Sequence, residues 1–183
     1  MDTTDKEIPE VLSSEEVFGG RLIGVVRDTV REGEQTYLRE VVKHPGGAAV
    51  VPYFADGTVA FVRQYRHPAR AYVLELPAGK IDPGERPEET AARELEEELG
   101  VVAGRLEQLS WFYTTPGFCE ERLWVFLATD LRETQRRHEE DEIIEVVRMP
   151  FERALRMAAS DEIDDAKTII GLLLAARRLG IKS

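Results

Sequence analysis

The chain has few of the features that mark secreted, membrane-bound or nucleic-acid-binding proteins. A single cysteine among 183 residues excludes an internal disulfide and fits a reducing compartment. No apolar stretch approaches the roughly 18 residues of a membrane span. The net charge of −11 argues against nucleic acid, where binding depends on neutralising phosphates. We therefore expect a soluble, cytoplasmic protein with no membrane or nucleic-acid partner.

The composition is that of a chain with a substantial core. Hydrophobic residues make up 43% of it and charged residues 32%, without an internal repeat or a low-complexity linker. Alternation from Val17 to Lys43 predicts two or three antiparallel strands with a turn at 31–35. The first dozen residues are polar, and we expect them to be frayed.

The remaining elements predict an α+β protein. Asp56-Gly57 separates Ala48–Phe54 from Thr58–Arg66, which favours a β-hairpin. Further strands are expected at Tyr72–Pro77, Leu106–Thr114, Arg122–Thr129 and Ile143–Arg148, and two further helices near Pro150–Ala159 and Asp165–Leu179. Strands around a central helix, with more helix at the C-terminus, are typical of a mixed-sheet sandwich.

The central helix lies in the most informative segment, GKIDPGERPEETAARELEEELGV, at 79–101. Pro87 suits its first turn and Gly100 its C-cap. At about 100° per residue, an apolar stripe is expected on one face, and three carboxylates fall side by side on the next. The stripe consists of Ala92, Leu95 and Leu99, and the carboxylates of Glu94, Glu97 and Glu98.

Carboxylates at i and i+4 repel each other and destabilise a helix by a few tenths of a kcal/mol. A divalent cation could reverse that cost, and hard oxygen ligands select Mg²⁺ or Mn²⁺. A solvated acidic helix is the alternative. The sequence therefore predicts a metal site on this helix, unless the acids only face solvent.

The spacing of the segment resembles the signature of Nudix hydrolases, G-x5-E-x7-R-E-U-x-E-E-x-G-U, in which U is a bulky aliphatic residue. The fixed positions are matched by Gly79, Glu85, Arg93, Glu94, Leu95, Glu97, Glu98, Gly100 and Val101. The resemblance implies the α/β/α Nudix fold, hydrolysis of a pyrophosphate, and two or three Mg²⁺ ions per site, with Mn²⁺ as an alternative.

The same resemblance implies roles within the motif. The main-chain carbonyl of Ala78 and the side chains of Glu94 and Glu98 would bind metal, with Glu97 as a further ligand or as the catalytic base. Four other positions would be structural: Gly79, Gly100, and the charge-assisted pair of Glu85 with Arg93.

Pro116 lies 16 residues beyond Gly100, an offset that resembles the ADP-ribose pyrophosphatase branch of the family. That branch implies a substrate site with contributions from Arg39, Arg66, Pro116, Gly117 and Glu121. Tyr37 and Phe18 are candidates for stacking on adenine, and ordinary sheet packing would explain them equally. The arginines could also be solvated strand ends.

The branch further implies a catalytic glutamate from a mobile loop, here 132–141. Glu142 aligns with it, while Glu139, Glu140 and Asp141 are neighbouring alternatives in a run of charges. No Ser/His/Asp arrangement is evident, so no covalent intermediate is expected.

These inferences lead to one expected activity, the hydrolysis of ADP-ribose to AMP and ribose 5-phosphate. The alternatives are another nucleoside diphosphate sugar such as GDP-mannose, a dinucleoside polyphosphate, or a non-catalytic ADP-ribose sensor. The resemblance also implies a homodimer, with 1–45 as a dimerising strand segment and 46–183 as the Nudix domain.

Overall fold

The computed structural model describes residues 7–136 and 144–182. Its strands are β1 Glu10–Gly19, β2 Gly24–Glu32, β3 Gln35–Lys43, β4 Gly47–Pro52, β5 Thr58–Arg66, β6 Ala71–Glu75, β7 Ala78–Lys80, β8 Val101–Tyr113, β9 Arg122–Glu133 and β10 Glu145–Pro150. Its helices are α1 Pro87–Leu99, α2 Phe151–Ala159 and α3 Ala166–Leu179. None of the described helices is long and apolar enough to cross a membrane.

The chain divides into two compact units. The first contains the described residues up to Gly46 together with Tyr113–Arg122, and the second contains Gly47–Phe112 with the described residues from Leu123 onward. The boundary predicted between residues 45 and 46 stays a prediction about domains, because compactness does not establish independent folding.

The first unit is built on the antiparallel sheet β1-β2-β3. Its β2–β3 turn contains Gly33 with φ of 60°, a conformation that glycine adopts without steric cost. The expectation of fraying is wrong from Glu10 to Leu12, because these residues belong to β1, Glu10 and Val11 pair with β2, and Glu10 forms an ion pair with Arg31. Every residue of β1 is exposed in this chain.

The second unit contains two sheets, β10-β5-β6 and β7-β4-β9-β8. Strand β4 runs antiparallel to β7 and parallel to β9, which confirms the predicted mixed sheet. All six residues of β4 are buried, as is typical of a strand that is covered on both faces.

The predicted hairpin of β4 and β5 is wrong, because the two strands lie in different sheets. Only the turn itself is as expected: Tyr53 bridges Val59, and Gly57, with φ of 80°, donates its N–H to Phe54. A turn signal acts over a few residues, whereas β4 and β5 take their main partners from distant parts of the chain.

Alternation along β4 and β9 creates two hydrophobic cores. Val51 and Val125 face the core that contains α2 and α3. Val50 and Phe126, their neighbours in sequence, face the core that contains α1. The sheet therefore supports α1, which carries the acidic motif, from one side and the C-terminal helices from the other.

Candidate active site

Helix α1 begins at Pro87 and ends at Leu99, within the predicted limits. At its start, the carboxylate of Glu89 accepts a hydrogen bond of 2.8 Å from the backbone N–H of Arg86. At its end, Gly100 has φ of 67° and donates its N–H to Glu96, as in a left-handed helix cap. Both limits follow from local residues, so they are predictable from sequence.

The predicted apolar stripe of α1 is partly wrong. Ala92 is exposed, while Ala91, Leu95 and Glu98 are buried. These three lie at i, i+4 and i+7, on one face of a helix. The buried face of α1 therefore includes Glu98 and excludes Ala92. One carboxylate of the motif thus lies on the buried side of the helix.

Glu98 is only 3% exposed. Its Oε2 accepts a hydrogen bond of 3.2 Å from the backbone N–H of Ala78. Ala78 is held in turn by antiparallel pairing with Ala49 of β4. The main chain of Ala78 and the side chain of Glu98, both predicted metal ligands, are thus adjacent.

Glu94 lies against the backbone of Gly79. A Cβ atom built on Gly79 would stand 1.7 Å from Oε1 of Glu94, which is impossible without displacing the carboxylate or the strand. The glycine at this position is therefore required for the carboxylate to reach its place beside β7.

Arg93 connects the acids of the motif. It makes a two-point bond to Glu85, with nitrogen–oxygen distances of 3.0 and 3.2 Å. Its NH1 also donates to Glu94 at 2.7 Å and to Glu97 at 2.9 Å. Hydrogen bonds to these carboxylates, that to Glu85 first, raise the pKa of Arg93, so its positive charge is secure.

Glu85 is the anchor of the loop before α1. The guanidinium of Arg93, with smaller contributions from Thr90 and the backbone N–H of Asp82, lowers its pKa to about 2. Thr90 is fully buried, and its hydroxyl donates to Glu85 at 2.8 Å. The loop is thereby attached to the helix at two places.

The predicted ligand set fits a hard divalent cation. Glu94, Glu97, Glu98 and the carbonyl of Ala78 offer only oxygen donors, which suit Mg²⁺ and Mn²⁺. Among the described residues no three acidic, histidine or cysteine side chains already converge as a metal-binding group. Arg93 accounts for part of this arrangement, since it draws Glu94 and Glu97 toward its own guanidinium.

Arg66 belongs to the same unit as the motif. It ends β5 with its side chain 43% exposed, and it makes a two-point bond to the buried Glu75, with distances of 2.7 and 2.8 Å. Lys167 of α3 also bonds Glu75. Sequence reasoning missed Glu75, although a glutamate inside the apolar run of YVLELP was a usable signal.

The other predicted substrate residues lie in the first unit. The guanidinium of Arg39 stands 4.0 Å from the ring centre of Tyr37, and Phe18 is 53% exposed. Pro116 and Gly117 line a cavity of about 370 Å³ that Arg39 also lines.

Glu121 is held within that unit by two contacts. It accepts a hydrogen bond of 2.7 Å from the hydroxyl of Thr114, and its other oxygen is 3.3 Å from Nδ1 of His44. The candidate bases Glu139, Glu140, Asp141 and Glu142 lie outside the described residues.

Comparison with known proteins identifies the class. The NUDIX domain family matches residues 43–170, so the chain belongs to this family. The predicted resemblance is confirmed, and with it the expectation that the chain is an enzyme.

Particular relatives support the assignment over most of the chain. An ADP-ribose pyrophosphatase of Bacillus subtilis (strain 168) is 42% identical over 162 residues, which are 87% of this chain and 88% of that protein. A methanol dehydrogenase activator of Bacillus methanolicus is 36% identical over 166 residues, 89% of this chain and 90% of that protein.

A solved structure described as an ADP compounds hydrolase superposes with a TM-score of 0.85 and covers 97% of each chain at 24% identity. This match confirms the predicted α+β Nudix fold.

The Glu85–Arg93 pair makes stability depend on pH. Because the pKa of Glu85 is about 2 when folded and near its ordinary 4.5 when unfolded, its contribution is complete above pH 4.5 and is lost as the pH falls toward 2. Glu85→Gln should lower the free energy of unfolding by about 1–3 kcal/mol at pH 7. Urea denaturation from pH 7 to pH 2.5 measures this, and the difference from the unmodified protein should shrink below pH 4.5.

Glu88→Gln is the matched control, because the Glu88 side chain is 54% exposed at the start of the same helix. A Glu85→Gln effect that stays constant down to pH 2.5 would contradict the role of the ionised pair.

Proposed function

We propose that this chain hydrolyses the pyrophosphate of ADP-ribose to AMP and ribose 5-phosphate, with Mg²⁺ or Mn²⁺. The observation that carries the proposal is the arrangement on α1, where Glu94 and Glu98 lie against the Ala78–Gly79 strand. The relative from Bacillus subtilis, named for this activity, supports the choice of substrate. A cytoplasmic location belongs to the same proposal.

The motif residues would hold the metal. Ala78 through its carbonyl, together with Glu94, Glu98 and Glu97, would bind two or three ions. Bound there, the ions would stabilise negative charge on the phosphates and lower the proton affinity of the attacking water. Arg93 keeps the acidic side chains oriented through its bonds to Glu94 and Glu97.

The remaining residues would bind and orient the substrate. Arg66 would contact the phosphates, and Arg39 with Tyr37 or Phe18 the adenosine half. Glu121 and the Pro116–Gly117 loop would contact the terminal ribose. Holding water and phosphorus in line accounts for much of the rate in such reactions. Glu142, or a neighbouring acid, would accept the proton of the attacking water.

The first test is phosphate release, coupled through a phosphatase, from ADP-ribose, GDP-mannose and a dinucleoside polyphosphate. We expect ADP-ribose to have the highest kcat/KM.

Glu98→Gln keeps the hydrogen-bond acceptor for Ala78 but removes the charge, and should lower kcat at least about a hundredfold, as loss of one electrostatic stabiliser does.

Glu96→Gln is the control for Glu98→Gln, since it makes the same charge change on the same helix outside the proposed ligand set. Near-normal turnover in Glu98→Gln at saturating Mg²⁺ would refute the ligand assignment. Faster hydrolysis of GDP-mannose would replace the substrate, and binding of ADP-ribose without turnover would indicate a sensor.

A second prediction concerns the base. Glu142→Gln should lower kcat by about 10² to 10⁴-fold while ADP-ribose and Mg²⁺ still bind, whereas Glu97→Gln should weaken metal affinity. Steady-state kinetics and Mn²⁺ titration separate the two effects. If Glu142, Glu139 and Glu140 can each be changed to glutamine without loss, the water is activated by the motif itself.

A homodimer belongs to the same proposal. Strand β1 exposes apolar side chains, among them Val11 at 55% and Phe18 at 53%. Within the described part of the sheet β1-β2-β3, Val30 is the one buried residue, so this sheet has little core of its own. A three-stranded sheet needs a packed apolar face for stability, and a second copy would supply it.

Sedimentation at micromolar concentration should therefore find a dimer. In this dimer the N-terminal strands of each copy would complete the substrate site of the other, so Leu12→Glu combined with Val17→Glu should shift the protein toward monomer and lower its activity. Leu173→Glu, a similar change at a half-exposed residue of α3, should do neither. A fully active monomer would exclude a site shared between subunits.

A further inference from the structure

Glu75 is a buried carboxylate for which the motif chemistry has no use. It ends β6, is 2% exposed, and accepts hydrogen bonds from two cations. Arg66 donates its Nε at 2.7 Å and its NH2 at 2.8 Å, and Lys167 donates its Nζ. Ionised groups are buried at a cost of several kcal/mol unless they are paired, so this grouping must be complete to be tolerated.

The grouping is tied to the N-terminus of α3. Nζ of Lys167 also donates to Asp165 at 2.9 Å, and Asp165 caps the helix by accepting the N–H of Thr168 at 3.0 Å. The hydroxyl of Thr168 accepts the backbone N–H of Leu76 at 2.8 Å. Helix α3 thus fixes both Glu75 and Leu76, immediately before the strand that carries Ala78.

Burial opposes the charge of Glu75, but its bonds to Arg66 and Lys167 outweigh this effect and lower its pKa. The pKa of Arg66 is raised, first by the bond to Glu75 and further by the charges of Glu98 and Asp165. Arg66 therefore lies within the field of the acidic helix α1 as well as that of Glu75. Its orientation matters for any anion bound beside that helix.

Arg66 retains donors for a ligand. A guanidinium has five N–H groups in one plane, of which Glu75 takes two, and the side chain of Arg66 is 43% exposed. A cavity of about 330 Å³ adjoins it, lined also by Lys167 and by the acidic residues Glu75, Asp164 and Asp165, of which Glu75 and Asp165 bond Lys167. The two-point bond fixes the plane of the guanidinium, so the donors that Glu75 does not use point in a set direction.

We infer that Glu75 is a positioning residue, which holds the guanidinium of Arg66 in the orientation that binds the pyrophosphate, and that Lys167 balances its charge from α3. This inference rests on the proposed function, in which Arg66 contacts the phosphates. It adds a constraint: a helix near the C-terminus helps to determine substrate affinity through a charge that does not touch the substrate.

A double-mutant cycle tests the inference. Glu75→Gln should raise KM for ADP-ribose about tenfold or more with kcat changed little, since a charge-assisted hydrogen bond contributes roughly that much. Arg66→Gln should do the same. The double variant should be no worse than Arg66→Gln alone, because Glu75 acts through Arg66. Additive effects, or an unchanged KM in Glu75→Gln, would overturn the inference.

Two further measurements separate positioning from general stability. Calorimetric binding of ADP-ribose in EDTA, without metal or turnover, should weaken in parallel with KM. If Glu75→Gln folds poorly, Glu75→Gln with Lys167→Met removes the buried carboxylate together with its partly buried ammonium partner and provides the folded variant, with the same expected KM. A drop in thermal stability with normal binding would assign the cluster to folding alone.

Glu145→Gln is the matched control. Glu145 forms an ion pair of 3.5 Å with Arg63, which lies on β5 as Arg66 does. The side chain of Glu145 is 63% exposed, so its substitution should leave KM unchanged. If the unmodified protein does not hydrolyse ADP-ribose, the proposed function fails instead, and this outcome is seen before any variant is compared.

Discussion

The site depends on keeping several carboxylates together in a partly buried place. Glu94 and Glu98 lie one turn apart on α1, and like charges at that spacing repel each other. Arg93 offsets this repulsion in part, because one guanidinium bonds Glu85, Glu94 and Glu97 at once. Arginine suits this role better than lysine because its donors are fixed in a plane and its charge is permanent.

The packing of β4 explains how such a helix is kept in place. Alternate residues of this strand face opposite cores, so α1 covers one side of the sheet while α2 and α3 cover the other. On both faces of this sheet, a glycine allows a helix and a neighbouring segment to approach closely. Gly79 makes room for Glu94, and a Cβ on Gly171 of α3 would stand 2.5 Å from a methyl group of Leu76.

Much of the fold was predictable where the signal was local. Pro87 and Gly100 define the ends of α1, and α3, at Ala166–Leu179 with Asp165 as its cap, lies where a helix was expected near Asp165–Leu179. The predictions failed where a distant partner decides. The turn at Asp56-Gly57 is real, but β4 pairs with β7 and β9, while β5 pairs with β6 and β10. No pattern within a few residues carries that information.

In the candidate site, too, local sequence patterns predict some features correctly and miss others. The spacing of the motif identifies its acids, but the predicted apolar stripe of Ala92, Leu95 and Leu99 is wrong at Ala92, which is exposed. Glu98 is 3% exposed instead, and its burial rotates the apolar face toward Ala91. Burial of a charge leaves no trace in hydrophobic periodicity, so it cannot be read from the pattern of α1 alone.

Glu75 and Lys167 illustrate the same limit across a longer distance. They are 92 residues apart in sequence, and neither belongs to the motif. Yet α3 bonds both Glu75 and Leu76, the residues that lead from β6 to Ala78. The same helix therefore supports the backbone that would bind metal and, through Glu75, the Arg66 side chain that would bind phosphate. The acidic motif supplies the oxygen donors, and the orientation of the positive groups around it depends on contacts that only the folded chain brings together.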